Sequence, residues 1–270
     1  MSKDFRHLIA LSLASATLLM ANAKEEETLP AEIIKIADAT EKRLKNRTLY
    51  FRGERIFDRM CVQCHGTTGR GNGPWSVDMT NKPRNLRLGI FKFRTTSYGK
   101  LPTDSDLRRT IREGISGTAM PSFSKFNEAE LDGIVAFVQS LSRRWRDEKN
   151  FAKPIDLPEP PTWLKEAEPR SQHANKSRTL FAQMCASCHG DQGKGDGPAA
   201  KELIDVWKHP IKPANLTGAH FKGGDRPEDI YRTIATGLDG TPMIGFHATL
   251  KSEQIWDLVA FIRERQKDSE

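Results

Sequence analysis

Two short segments hold all four cysteines of this 270-residue chain, and both have the spacing C-x-x-C-H. They are CVQCH at residues 61–65 and CASCH at residues 185–189. Two thiols at this spacing can form thioether bonds to the vinyl groups of a heme, while the adjacent histidine binds the iron from one side. The sequence therefore predicts two covalently attached heme c groups. The predicted attachment residues are Cys61, Cys64, Cys185 and Cys188, and the predicted proximal iron ligands are His65 and His189.

Other uses of paired cysteines fit these segments less well. A zinc site of the C-x-x-C…C-x-x-C type places its halves about 15–20 residues apart, whereas these halves lie 124 positions apart. A thioredoxin-like pair would follow a strand in a βαβ pattern, and the sequence shows no such alternation. Two disulfides are compatible with an exported protein, but they leave the histidine after each pair unexplained. Heme attachment is the interpretation that accounts for both cysteines and the histidine of each segment.

Each heme iron also needs a ligand on its opposite face, or that face stays open for chemistry. Between residues 24 and 145 the only histidine is His65, so the first half cannot supply a second histidine ligand. Met120 follows a Gly-Thr pair 55 residues after His65, and Met243 follows a Gly-Thr pair 54 residues after His189. This recurrence predicts Met120 and Met243 as the distal ligands. In the second half a histidine is the alternative, and the candidates are His209, His220 and His247.

The chain is an internal repeat. The pattern H-G-x-x-G-x-G-x-G-P begins at His65 and again at His189, an offset of 124 residues. The pattern K-P-x-N-L begins at Lys82 and at Lys212, an offset of 130, so the second copy has six more residues between the two patterns. Loops absorb such insertions. We therefore expect a domain at residues 48–145, a similar domain at residues 173–270, and an N-terminal extension at residues 24–47.

A helix is predicted at the end of each copy, because apolar residues recur there with helical periodicity. The apolar stripe of the first copy is Leu131, Ile134, Val135, Val138 and Leu141, and that of the second is Ile255, Leu258, Val259 and Ile262. Asn127 and Glu130 have the spacing of a capping box at the start of the first of these helices. Phe57 and Phe181 each precede the first cysteine of a motif by one helical turn, which predicts a core position for both.

The glycines after each histidine suggest a tight backbone path. The run Gly69-x-Gly71-x-Gly73 superficially resembles a phosphate-binding loop, but no strand precedes it and no Lys-Ser/Thr pair follows it. We expect these glycines to let the backbone pass close to the heme edge. The carbonyl group of Pro74, or of Pro198 in the second copy, or one near it, is the predicted acceptor for the Nδ1–H of the proximal histidine.

Residues 146–172 have the composition of a linker. Prolines stand at positions 154, 158, 160, 161 and 169, and many of the other residues are charged. Proline lacks an amide N–H and disfavours a helix, so this stretch is expected to form a semi-rigid extended connector between the two domains.

The N-terminus indicates export. Lys3 and Arg6 precede an apolar stretch at residues 8–20, which is too short to span a bilayer. The small residues Ala21 and Ala23 then give a signal-peptide cleavage pattern, with cleavage expected after Ala23. An uncleaved membrane anchor is the alternative. We expect a signal peptide at residues 1–23 and a mature chain in the periplasm, with no transmembrane segment and at most peripheral association with a membrane complex.

Charge is divided unevenly between the two halves. Residues 24–150 hold 24 Lys+Arg against 17 Asp+Glu, and residues 151–270 hold 16 against 17. A basic surplus often indicates nucleic acid, but an exported protein rarely meets nucleic acid, and no groove-reading motif accompanies the charge. We therefore expect no nucleic-acid partner. The first domain is expected to dock an acidic redox protein, because complementary fields steer the encounter.

Together these motifs resemble the class I c-type cytochromes, with two such domains in one diheme chain. The resemblance rests on each C-x-x-C-H, the following G-x-G-x-G-P, the P-x-N-L element, the Gly-Thr-x-Met loop and the last helix with its Ala-Phe pair. The family implies an all-α fold, with the terminal helices of each domain packed together and the heme in a cleft. Ser177 departs from the first copy, which has Gly53, and Ile244 departs from Pro121.

The resemblance also implies a function. A cytochrome with both axial positions of each iron filled relays single electrons between redox partner proteins and has no catalytic residue. It would act as a soluble carrier or as the cytochrome subunit of a respiratory complex. The alternative is a diheme peroxidase, or another heme enzyme with one iron open to substrate. Both copies keep the methionine loop, which favours electron transfer.

Overall fold

A computed structural model describes residues 31–267, and it has the all-α fold predicted from the sequence. Within this range there is no β-strand, and one isolated β-bridge joins Ile204 and Pro210. The helices of the range are α1 (Ala31–Met60), α2 (Val62–His65), α3 (Asp104–Glu113), α4 (Glu128–Ser140), α5 (Ala167–Lys176), α6 (Arg178–Met184), α7 (Ala186–His189), α8 (Pro227–Thr236) and α9 (Ser252–Lys267). None of these helices is both long and apolar enough to cross a membrane. The predicted signal peptide lies outside the described residues.

The chain divides into two compact units, residues 1–45 and residues 46–270. The described part of the first unit, residues 31–45, is helical and forms the beginning of α1. Both copies of the C-x-x-C-H motif, with the elements that surround them, belong to the second unit.

The first copy packs the end of α1 against α4 around an apolar core. Phe57 is buried, and its ring centroid lies 5.0 Å from that of Phe137. Four of the five residues of the predicted stripe, Leu131, Ile134, Val135 and Val138, are buried on α4, and Leu141, the residue after α4, is half-buried against the same core. The capping box is confirmed as well: Asn127 Oδ1 accepts from the Glu130 N–H at 3.0 Å, and Glu130 Oε2 accepts from the Asn127 N–H at 2.9 Å. These bonds satisfy amides that the first turn of α4 leaves without a helical partner.

The second copy repeats this arrangement with α6 and α9. Phe181 is buried, as predicted, and its ring centroid lies 4.4 Å from that of Phe261. The predicted stripe of α9 is buried in full and consists of Ile255, Leu258, Val259 and Ile262. The same type of helix pair therefore supports the motif in both copies.

The copies differ where their terminal helices cross. In the first copy a Cβ added to Gly53 would lie 1.9 Å from the carbonyl oxygen of Gly133, so the two backbones are in direct contact. In the second copy Ser177 occupies the position of Gly53, and the helix is interrupted there between α5 and α6. Ser177 Oγ lies 2.9 Å from the carbonyl oxygen of Ala174 and 3.0 Å from that of Asp257 on α9. The hydroxyl group thus joins two helices that the first copy brings together without any side chain.

The connector between the copies is shorter than the sequence predicts. Residues 151–161 have no regular secondary structure, as their prolines suggest. Helical turns occupy Arg143–Arg146, Glu148–Asn150 and Thr162–Lys165, and α5 begins at Ala167. The prediction that all of residues 146–172 avoid helix is therefore wrong at both ends. Pro169 is accommodated because it lies in the first turn of α5, where an N–H has no helical acceptor.

The two copies contact each other through a loop of the first copy. Arg94 is 0% exposed and donates to the carbonyl oxygens of Thr236 (3.0 Å) and Gly237 (3.5 Å). These carbonyl groups end α8, where a cation is favourable because the last carbonyls lack helical partners. Tyr98 Oη donates to the carbonyl oxygen of Thr241 at 2.8 Å. The contact therefore reaches the Gly-Thr-x-Met loop of the second copy.

Candidate functional site

Each C-x-x-C-H motif forms a short turn of helix directly after another helix, α1 in the first copy and α6 in the second. In the first copy the Cys61 N–H donates to the carbonyl oxygen of Phe57, and the His65 N–H donates to that of Cys61, both at 2.8 Å. The second copy repeats these two bonds at 2.8 and 2.9 Å. The backbone of the motif is therefore held in the same way in both copies.

A backbone carbonyl group orients the imidazole of each motif. His65 Nδ1 lies 3.0 Å from the carbonyl oxygen of Arg84, and His189 Nδ1 lies 3.1 Å from that of Ala214. A carbonyl oxygen can only accept, so Nδ1 carries the proton and Nε2 keeps the lone pair that can bind a metal. This is the arrangement by which an outer partner sets the tautomer and the ring orientation of a metal-binding histidine.

The acceptor predicted from the sequence, Pro74 or Pro198, is wrong. Both acceptors, Arg84 and Ala214, occupy the variable position of K-P-x-N-L, the element whose role the sequence left open. In each copy the leucine N–H of this element donates to the carbonyl oxygen of the second glycine after the histidine, at 2.7 and 2.6 Å. This bond holds the element against the motif. In the sequence, the recurrence of K-P-x-N-L in both copies was the one signal that this element is needed at the motif.

Glycines let the loop after each histidine fold back onto the motif. Gly71 donates its N–H to the carbonyl oxygen of His65 at 2.8 Å, and Gly73 donates to that of Cys64 at 3.0 Å. A Cβ on Gly73 would lie 2.3 Å from the carbonyl oxygen of Gln63. The close approach that requires glycine is therefore made to the motif helix itself.

Met120 and Met243 lie in loops with the same local structure. In each loop the methionine N–H donates to Oγ1 of the threonine two residues earlier, at 3.2 Å in both copies. The methionine carbonyl oxygen accepts from the residue five positions earlier, at 3.1 and 2.9 Å. Ile244, which replaces the proline that follows Met120, leaves these bonds in place. The Gly-Thr pair thus sets the turn that presents the methionine.

The predicted groups of the first copy meet at one cavity of about 880 Å³. Its walls include Cys61, Cys64, His65 and Met120, so all four predicted cofactor residues of this copy face the same space. Apolar core side chains line it as well, among them Phe57, Leu86, Leu107, Ile111, Ile134 and Val138. The volume lies within the range of roughly 300–1,000 Å³ that is usual for ligand pockets. A thiol pair, an oriented imidazole and a thioether in such a cavity fit a heme c.

Burial keeps the candidate ligands uncharged. Burial raises the pKa of the Cys61 thiol to about 12 and that of Cys185 to about 11, and the second cysteine of each pair acts in the same direction. Burial also lowers the pKa of His65 and of His189, against the hydrogen bond to a carbonyl group, which raises it. Neutral imidazole is the form that binds iron.

The alternative distal histidines have other partners or positions. His220 Nδ1 lies 2.8 Å from a carboxylate oxygen of Asp225, and the imidazole is exposed. Both ring nitrogens of His247 have neighbours: Nδ1 lies 3.2 Å from the carbonyl oxygen of Ala235, and Nε2 lies 3.4 Å from Ser97 Oγ. His209 lines the cavity of the first copy. These placements favour methionine as the distal ligand in the second copy.

Comparison with known proteins finds a cytochrome family model for each half of the chain. A family model for cytochrome c matches residues 174–266, and a model described as cytochrome c oxidase, cbb3-type, subunit III matches residues 50–138. A cbb3-type cytochrome c oxidase subunit CcoP from Azospirillum brasilense is 25% identical over 190 residues, or 70% of this chain and 52% of the relative. A cytochrome bc1 complex cytochrome c subunit from Mycobacterium tuberculosis is 26% identical over 218 residues, or 78% of this chain and 64% of the relative. The chain thus spans about half to two thirds of the length of these relatives.

A solved structure resembles both halves at once. It is a chain of the Kuenenia stuttgartiensis reducing HAO-like protein complex, with 34% sequence identity and a TM-score of 0.71. The likeness covers 79% of this chain and 95% of that chain, which is more than either copy alone contains. The repeated motif, the helical fold and these likenesses show that the chain belongs to the class I c-type cytochromes, with two cytochrome c domains that bind heme c.

Proposed function

We propose that this chain is a diheme cytochrome that relays single electrons between redox partner proteins in the periplasm. The observation that carries the proposal is one local structure that occurs in both copies. In each copy a backbone carbonyl group orients the histidine of C-x-x-C-H, and a threonine hydroxyl group fixes the loop that holds the methionine. The proposed covalent attachment residues are Cys61, Cys64, Cys185 and Cys188. The proposed axial ligands are His65 and Met120 in the first domain, and His189 and Met243 in the second.

The residues of the chain set the conditions for this chemistry. When bound, the heme iron supplies one-electron redox chemistry between its ferric and ferrous states. The Nδ1–H bond to a carbonyl oxygen keeps each proximal imidazole in one tautomer and one orientation. The soft thioether sulfur of methionine favours ferrous iron and raises the reduction potential relative to a second histidine. The apolar walls of the cavity act in the same direction, because they disfavour the additional charge of the ferric state.

The partners that we propose are other redox proteins. The relatives and the similar structure are named as parts of a cbb3-type oxidase, a bc1 complex and a reducing HAO-like complex, which supports a place in or beside a larger respiratory assembly. The signal-peptide pattern at residues 1–23 supports periplasmic location. The basic surplus of residues 24–150 supports an acidic partner for the first domain.

The proposal is tested on the purified full-length holoprotein, produced in a host that matures c-type cytochromes. We expect two covalent hemes per chain, both low-spin in the ferric and the ferrous state. Replacing both thiols of one motif by alanine should halve the heme content, and retention of both hemes would contradict the attachment sites. A high-spin iron that binds cyanide or reacts with peroxide in the resting protein would instead support a heme enzyme, because it requires an open axial position.

A further inference from the structure

The residues that the second copy adds before its K-P-x-N-L element form a loop at the first copy. Within residues 203–211, here called the insertion loop, the Ile211 N–H donates to the carbonyl oxygen of Leu203 at 3.0 Å. Asp205 Oδ1 accepts from the N–H groups of Trp207 and His209, both at 2.9 Å, and so fixes the tip of the loop. All three of these residues line the cavity of the first copy. The insertion loop is therefore part of the wall of the first cofactor site.

Trp207 links this wall to both copies. The guanidinium group of Arg84 lies 4.0 Å from the centroid of its indole ring. Gly240, in the methionine loop of the second copy, packs so closely that a Cβ there would lie 2.8 Å from the Cη2 atom of the indole. Among the described residues, Trp207 Nε1 is buried and has no hydrogen-bond partner. A buried N–H without an acceptor is unfavourable, and this indole lines the cavity, so we expect its acceptor to be a ligand there.

Cationic side chains from both copies line the same cavity. Arg84 and Lys92 come from the first copy, and Lys222 comes from the second. Burial lowers the pKa of Lys92 to about 8, and the charges of Arg84 and Lys222 lower it further. Lys92 is thus placed beside two like charges, and Arg84 and Lys222 line the same cavity, so the cavity favours an anionic ligand group.

We propose that Trp207 and Lys222 of the second domain complete an anion site in the first domain, together with Arg84 and Lys92, and that the site binds the propionate carboxylates of the first heme. This inference rests on the proposed function, because those carboxylates belong to heme c. Of these four residues, the first copy supplies Arg84 and Lys92 but neither the indole nor Lys222. The second domain is thus a structural part of the first heme site.

The site predicts the direction in which the reduction potential of the first heme changes. A cation or an N–H donor beside the carboxylates offsets negative charge that would otherwise stabilise ferric iron. Removing either donor therefore favours the ferric state and lowers the potential of the first heme. The second heme is attached to the other motif, so its potential should not change.

The test uses Trp207→Phe and Lys222→Gln in the full-length holoprotein, followed by spectroelectrochemical titration. Phenylalanine keeps an aromatic ring between Arg84 and Gly240 but has no N–H. Glutamine removes the charge of Lys222 while keeping a polar chain near Asn81, whose Oδ1 lies 2.6 Å from the lysine Nζ.

Two matched variants serve as controls. Trp163→Phe changes an indole that stacks on His173 at 3.6 Å, away from the residues that line the cavity. Lys208→Gln removes a charge from an exposed position on the insertion loop itself. A double variant, Cys61→Ala with Cys64→Ala, assigns the two titration waves, because only the second heme should remain attached.

We expect both test variants to lower the potential of the first heme alone, and both controls to leave the two potentials unchanged. Unchanged potentials in Trp207→Phe and Lys222→Gln would overturn the anion site. Equal shifts of both hemes, or a loss of stability without a shift, would also overturn it, because either outcome assigns these residues to packing. The wild type is measured first. If it lacks two low-spin hemes, the proposed function fails, whereas the anion site fails only if wild-type hemes are normal and the variants show no selective shift.

Discussion

Replacing Gly53 by alanine should destabilise the first domain far more than one methyl group suggests. The added Cβ would lie 1.9 Å from the carbonyl oxygen of Gly133, 2.5 Å from its carbonyl carbon and 2.7 Å from the Cβ of Phe137. Such atoms essentially never approach closer than 3.0 Å, so α1 and α4 must separate by roughly 1 Å. The two contacts nearest to the Cβ are to backbone atoms, which no change of rotamer can relieve.

The cost can be worked out from the packing around the crossing. Overpacking of a core costs about 1–3 kcal/mol. Separation also weakens the Phe57–Phe137 contact at 5.0 Å, an aromatic pair that contributes about 0.5–1.5 kcal/mol. A gap of about 0.5–1 Å forfeits roughly a quarter to a half of each affected contact. Against these costs, alanine has a higher helix propensity than glycine, which stabilises the variant by up to about 1 kcal/mol. The expected net loss is therefore about 1–3 kcal/mol in the free energy of unfolding.

The assay is equilibrium denaturant unfolding of the full-length holoprotein, followed by heme absorbance and circular dichroism. Ser177→Ala at the equivalent position is the matched control. It removes one hydroxyl group near the carbonyl oxygen of Asp257, and it should cost only about 0.5–1.5 kcal/mol. A loss below about 1 kcal/mol for Gly53→Ala would refute the reasoning, because the helices would then separate at little cost.

Three further outcomes are expected. Met243→Ala should abolish the methionine-sulfur charge-transfer band of the second heme; an unchanged spectrum, together with a change in His220→Ala or His247→Ala, would assign the distal ligand to histidine. Asp229→Asn should cost about 3 kcal/mol at neutral pH, because it breaks a buried ion pair. Burial alone raises the pKa of Asp229, but the hydrogen bonds and charges of two arginines outweigh it and hold the pKa below its usual value. The stabilisation is therefore present above the unfolded pKa of about 3.9 and is lost as the pH falls through the lower folded pKa, so acid unfolding should be steeper for the wild type than for the variant. The association rate of the full-length protein with an acidic partner should fall as salt shortens the Debye length from about 10 Å at 0.1 M to about 3 Å at 1 M, and a salt-independent rate would contradict the charge argument for residues 24–150.

Features carried by side-chain type and spacing could be predicted from the sequence. The two motifs, the buried stripe of α4 and its capping box belong to this class, because each depends on residues that are close along the chain. The recurrence of the methionine after Gly-Thr at the same distance belongs to it too. The structure adds the reason for that recurrence, since the threonine Oγ1 accepts the N–H of Met120 or Met243.

Features that depend on backbone atoms or on the other domain could not be predicted. The acceptor for His65 is a carbonyl oxygen of Arg84, and a carbonyl group has no residue type that the sequence could show. The start of α5 at the end of the connector was missed because proline excludes a helix interior but not its first turn. Trp207 belongs to an insertion, and only the packing of the two domains places it at the first cavity.

Comparing the two copies distinguishes features needed for cofactor binding from features needed for the contact between the domains. Gly117 and Gly240 occupy the same place in the two methionine loops, and both have positive φ, at +67° and +81°. Around Gly117 a Cβ would meet no other heavy atom within 4 Å, whereas at Gly240 it would meet the Trp207 indole at 2.8 Å. The shared requirement is the left-handed backbone that turns the loop toward its methionine. The second requirement exists in one copy alone, because there the loop also supports the indole that lines the neighbouring cavity. In these loops, the feature common to both copies is thus best explained by heme binding within each domain. The feature of one copy is best explained by the way the two domains meet.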